Sequence, residues 1–270
     1  MTQPNEVNYQ PLRDNQKLMT QAIKKSFGGA GMVVFVVVVL ISVPLIPIFG
    51  SGLLILGIYY VYITRQYKKL AKGSWERFGT INGWGVDYSR PNQSLIPPSI
   101  RYGDSQVYSS ILKANLSGVE CSIFSYETKI GAGKVELPDN FDIAVIELPK
   151  SLPHIILNTT LYQGVIQKEQ PNHEKLKLEG DFSKYFNLIV EKGNEVDVLA
   201  IITPEIMQAL IEYGHSESIE IFQDKLYFIS YSAGELEPIQ ALVNSVSGLS
   251  GQIIENVSLQ TAKSISKGSL

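Results

Sequence analysis

Cysteine is almost absent from this chain: Cys121 stands alone among 270 residues. One thiol makes neither an internal disulfide nor a cysteine-based metal cluster. Histidine is nearly as scarce. His154, His173 and His215 fall at spacings that match neither H-E-x-x-H nor a cysteine–histidine zinc pattern. An excess of one charge sign is missing too. With 23 basic and 26 acidic residues the formal net charge is -3, so the chain lacks the basic footprint of a nucleic-acid binder.

The most local absence is of charge altogether. From Ser26 to Thr64 no charged residue occurs. As one helix at roughly 1.5 Å per residue, that run would extend about 58 Å. The hydrocarbon layer of a bilayer is about 30 Å thick. Two shorter spans fit the run better than one, provided something turns the chain midway. Pro44 and Pro47, followed by Gly50 and Gly52, supply such a turn. The sequence therefore predicts a transmembrane hairpin over residues 27–64, with helices near Phe27–Val43 and Ile48–Thr64.

The flanks orient it. Lys24 and Lys25 precede the run, and Arg65, Lys68, Lys69 and Lys72 follow it. Basic flanks stay on the cytoplasmic side, which predicts both termini in the cytoplasm and an integral protein of the plasma membrane. A single span with a re-entrant second segment, and a buried hairpin of a soluble domain, are the rival readings.

The remainder has the composition of an ordinary folded domain. Residues 1–26 form a polar segment with a short amphipathic helix, and 65–99 a juxtamembrane helix and linker. Residues 100–258 form an α+β domain of mainly antiparallel sheet with helices packed on one face, and 259–270 a disordered tail. Turn residues Ser117 and Gly118 predict a hairpin. "FDIAVIELP" and "PHIILNT" read as separate strands, "VDVLAIITP" as another strand, and "SIEIFQDKLYFISY" as a second hairpin turning at Asp224 and Lys225. "ITPEIMQALIEYG" has the punctuation of a helix: Thr203 as N-cap, Pro204 at the first position, Glu205 in the first turn and Gly214 as terminator. A last helix runs near Glu235–Val257, its stripe from Leu236 to Ile253 facing the core.

No catalytic constellation stands out. Cys121 falls on a predicted strand and reads as a small buried side chain. "IGAGKVE" (130–136) lacks the spacing and the Ser or Thr of a phosphate loop. Asp139 and Asp142 share a loop, and Glu205 and Glu212 share a helix face, without forming an acid/base pair. No catalytic residue, metal ligand or cofactor is expected.

The block 178–230 carries an F-x-x-x-F element at Phe182 and Phe186, a TP-x-x-M element at Thr203, Pro204 and Met207, and "DKLYF" at Asp224–Phe228. In these it resembles a bacterial membrane-associated domain of unknown function. The resemblance implies membrane-attached segments beside a mixed α and β domain, and brings no activity. The function expected from the sequence is a membrane-tethered interaction or scaffold module. Its partners would be the lipid bilayer and a protein or a second copy of the chain, not nucleic acid. The alternatives are an accessory subunit assembling through its membrane helices, and an enzyme with an unrecognised site.

Overall fold

The computed structural model describes residues 6–14, 22, 33, 36–43, 51–103, 105–130, 137–161, 172–178, 180–232 and 237–268. The chain divides into two compact units, one of Asn8–Ile81 and one of Met1–Val7 with Asn82–Leu270.

The smaller unit is helical. Helix α1 (Gln10–Arg13) is short, residues 36–43 are helical, and α2 runs through Ser51–Ile81 as one 31-residue helix. Tyr9 stacks on Phe78 at 5.6 Å between ring centroids, and Trp75 tilts against Phe78 at 6.0 Å. Tyr59, Ile63 and Ala22 form a second buried cluster, flanked by Val38, Tyr67 and Leu70.

This unit overturns the membrane expectation. No helix among the described residues is long and apolar enough to cross a membrane. The physical reason is visible in α2. Its apolar part ends at Thr64, about 21 Å of helix at 1.5 Å per residue, well short of the hydrocarbon thickness. The helix then continues without a break through Arg65, Lys68, Lys69 and Lys72. Those basic residues, read as flanks of a span, are mid-helix positions, and Lys72 pairs with Glu76 one turn on at 3.7 Å. Gly52 lies in the first turn of α2, not in a membrane turn. Pro44, Pro47, Gly50, Lys24 and Lys25 lie outside the described residues. The transmembrane hairpin, the bilayer as partner and the integral plasma-membrane placement therefore have no support from any described helix.

The larger unit is α+β. Its eight-stranded antiparallel sheet contains β1 (Gly85–Asp87), β2 (Ser105–Tyr108), β3 (Ile111–Leu116), β4 (Val119–Ile130), β5 (Leu137–Thr159), β6 (His173–Leu176), β7 (Phe186–Glu191) and β8 (Ser218–Tyr231). The main path is β1-β3-β4-β5-β7-β6, with β2 on β4 and β8 on β5. Short helices α3 (Phe182–Tyr185), α4 (Glu195–Ile201) and α5 (Pro204–Tyr213) lie between β6 and β8, and α6 (Glu237–Gly268) closes the chain.

The long strand β5 organises the sheet. Its first half pairs with β4 and its second with β7, while β8 follows both halves. Register shifts lie between Glu147 and Leu152 and between Leu152 and Ile155. They change which positions face which side. Before them Ile143 and Val145 join the core under the sheet; after them Ile156 does. That core is capped by the segment holding Ile96 and Ile100. Helix α6 packs on β5 and β8 through buried Ile239, Leu242, Val243, Val246, Leu249, Ile253 and Val257. Each such side chain contributes about 2 kcal/mol of burial.

Several local expectations are corrected. "FDIAVIELP" and "PHIILNT" are one strand, because bulges let β5 bend without ending. "SIEIFQDKLYFISY" is one strand and not a hairpin: Gln223 takes φ 56°, yet both halves stay paired to β5. "VDVLAII" is helix α4, because Val198 and Ile201 share a buried face while Val196 is 80% exposed.

Candidate functional site

Two arrangements in the larger unit have polar groups worth weighing. The first is buried under the sheet. The β5–β8 register sets Ile156 opposite Glu220, and Glu220 therefore faces the same side as His154. Three donors converge on the Glu220 carboxyl. The Ser99 amide reaches Oε1 at 3.3 Å and the Ser99 hydroxyl donates to Oε2. His154 Nε2 lies 2.7 Å from Oε1. On its other side His154 Nδ1 lies 2.9 Å from His173 Nε2, and Phe222 covers the ring edge-on at 5.0 Å.

This chain contains the residue types of a hydrolase but not the order. A triad runs hydroxyl to imidazole to carboxylate. Here the Ser99 hydroxyl donates its hydrogen bond to the carboxyl directly, and no imidazole accepts it. Both ring nitrogens of His154 are already engaged. Glu220 and Ser99 are fully or almost fully buried, and His154 is 8% exposed. The cluster ties the capping segment at Ser99 to β5, β8 and the edge strand β6. Sequence spacing could not show it, since 121 positions separate Ser99 from Glu220.

The second arrangement opens to solvent. Thr203 caps α5, its hydroxyl oxygen accepting from the Ile206 amide at 3.4 Å, and Gly214 ends the helix. A groove of about 610 Å³ lies between the end of α5 and the α6 stretch from Ala241 to Gln252. It meets a second open depression of about 530 Å³ along α5, with Glu212, Tyr213 and Gln252 common to both. Two glycines let the helices approach. A β-carbon on Gly248 would sit 2.7 Å from the Tyr213 ring, and one on Gly214 would sit 2.6 Å from Leu249.

The groove is acidic. Glu212 lines it and Glu205 lines the depression it meets, and neither lining includes a lysine or arginine. Backbone N–H at the helix start, with Thr203, holds the Glu205 carboxyl below its usual range. The Glu212 carboxylate hydrogen-bonds the Tyr213 phenol and raises it. His215, in the lining, is held by the Ile211 carbonyl, 3.0 Å from Nδ1.

Beneath one end lies Glu217, fully buried, with Ser216 and Ser245 hydroxyls at 2.8 and 2.5 Å from its two oxygens. Burial pushes this carboxyl up to about 7.

The remaining candidates are dispersed. Cys121 is buried in the sheet, its thiol pushed up to about 12 by burial, which leaves no thiolate to react at neutral pH. Asp142 is buried beneath Ser125, which donates to it at 2.6 Å; burial raises its carboxyl. Asp139 accepts from the Tyr102 hydroxyl at 3.1 Å. His215 lies apart from the His154–His173 pair, on the turn after α5. Among the described residues, no group of three His, Cys, Asp or Glu side chains is placed to hold a metal ion.

The chain matches no protein-family model and no curated protein. Among solved structures it is similar to the crystal structure of the mycobacterial trehalose monomycolate transport factor A, TtfA, at 8% identity and a TM-score of 0.42, over 66% of this chain and 94% of that one. A likeness this slight carries no argument about function.

Proposed function

We propose that this chain is a protein-interaction module whose α5–α6 groove takes an extended, basic segment of a partner. The observation that carries the reading is the groove with the depression it meets: open to solvent, set along α5 and α6, and lined by Glu212 and Glu205 with no lysine or arginine opposing them. Enclosure of most of a ligand's surface marks small-molecule sites, and this groove is open along its side. Helix α5 extends about 15 Å at 1.5 Å per residue, the length of four or five extended residues at about 3.3 Å each. Tyr213 is 41% exposed and offers an aromatic face on which a lysine or arginine can lie.

The buried Ser99–Glu220–His154–His173 chain favours this reading over an enzyme, because it joins four segments and presents no hydroxyl activated by an imidazole. Peptides selected from a random display library against the full chain test the proposal. Enrichment in lysine and arginine, with binding lost in Glu205→Lys/Glu212→Lys, is the expected result. Selected peptides without basic enrichment, or binding indifferent to the charge reversal, would refute it.

A further inference from the structure

The Ser245 hydroxyl sits between two acceptors. It donates to the Tyr213 carbonyl at the end of α5 and lies 2.5 Å from Glu217 Oε2. A hydroxyl has one proton to give. If Glu217 is ionised, both neighbours ask for that proton and one goes without. If Glu217 is protonated, its own O–H donates to Ser245, and Ser245 donates onward to Tyr213. Only the protonated form satisfies every contact the geometry shows.

We propose that a proton on Glu217 latches the end of α5 to α6, and that the groove between them loosens when the proton leaves. The consequence for binding rests on the groove reading above; the latch itself does not.

The surroundings leave Glu217 in charge of the transition. Burial is the main cause of its raised affinity for a proton, opposed by hydrogen bonds from Ser245, Ser216 and its own amide. The titratable groups on the packed elements are Glu212 and Tyr213 of α5, His215 on the turn, and Tyr185 of α3, whose ring meets His215 at 6.1 Å. From β5 Thr159 contributes a hydroxyl, donated to the His215 carbonyl at 2.6 Å. From α6 comes the Ser245 hydroxyl. The test below separates the part played by Glu217 from that of His215 on the same turn.

Amide hydrogen exchange of the full chain, at pH 6 and pH 8 and corrected for intrinsic rates, reads the latch directly. Protection over residues 210–217 is expected to fall about fivefold on raising the pH, the scale of one hydrogen bond. Glu217→Gln keeps a donor toward Ser245 and is expected to show no such fall. Equal protection at both pH values, or a fall that persists in Glu217→Gln and vanishes in His215→Gln, overturns the proposal. Should Glu217→Gln fail to fold, carbon-13 detection of the glutamate carboxyls in the unmodified chain decides instead. One carboxyl titrating near neutrality supports the latch, and none above pH 6 refutes it. A selected basic peptide is expected to bind more weakly at pH 8 than at pH 6. No binding at either pH counts against the groove reading while the exchange result stands.

Discussion

Tyr213 lies directly against Gly248, so that a β-carbon on the glycine would meet ring atoms Cγ and Cδ1 at 2.7 and 2.9 Å and the tyrosine Cβ at 3.1 Å. Because the tyrosine Cβ is itself close, turning the ring does not relieve the whole contact. Gly248→Ala gains about 1 kcal/mol of helix propensity but forces overpacking that costs about 2 kcal/mol. A net loss is expected, read as a lower urea midpoint. Gly251, with nothing within 4 Å of an added β-carbon, is the control: Gly251→Ala is expected to stabilise the chain by about 0.5–1 kcal/mol, read as a higher midpoint.

Stability should fall as the pH rises from about 4.5 to about 7. The folded chain holds the Glu217 proton up to about 7, whereas the unfolded chain releases it near 4.5. Within that window the folded state binds more protons, so ΔG of unfolding decreases with pH and levels off above it. The contribution is about 3 kcal/mol at 1.36 kcal/mol per pH unit. Asp142, also raised by burial, acts with the same sign. Urea unfolding across pH 4–8 checks the slope, and Glu217→Gln should make it shallower.

Removing Glu220 should damage the fold rather than a reaction. Glu220→Leu strands the Ser99 and His154 donors that now converge on it. Leaving buried polar groups unsatisfied costs roughly 3 kcal/mol. Thermal unfolding should show the loss, with Ser99→Ala milder because the amide contact remains.

Cys121 should resist alkylation in the folded chain. It is buried and its thiol is raised to about 12. Iodoacetamide at pH 8 is expected to label it only at the rate of unfolding, and fast labelling in the absence of denaturant would contradict its placement.

Loss of the α5 cap should be modest and local. Thr203→Ala removes the acceptor of the Ile206 amide and is expected to cost about 1 kcal/mol, measured by denaturant unfolding. Thr203→Asn should retain most of the stability.

The ends of α5 are legible in the sequence, although the groove beside it is not. Thr203, Pro204 and Gly214 mark the ends of α5 by rules that act within a few residues, and the Ser117–Gly118 turn is local too, with φ 50° and 90°. Helix α4 was hidden because its β-branched residues read as strand. Packing decided otherwise, burying Val198 and Ile201 on one face and seating Asn256 on the Ile201 carbonyl at 2.8 Å. The Ser99–Glu220–His154–His173 chain had no sequence signal, since it depends on the register of β5, β7, β6 and β8. The charge-free run misled for a related reason: hydropathy counts residues without knowing where a helix starts. Here α2 begins within the run and carries on through the lysines. Gly248 reads in the sequence as a weak point of a helix, and only the Tyr213 ring shows what it makes room for.

The groove reading stands or falls on where a basic peptide lands. Amide exchange of the full chain, with and without a selected lysine- and arginine-rich peptide, locates it. The account predicts added protection confined to residues 204–216 and 241–252, weakening as salt is raised. Protection elsewhere on the sheet, or none over those two segments at saturating peptide, would contradict it.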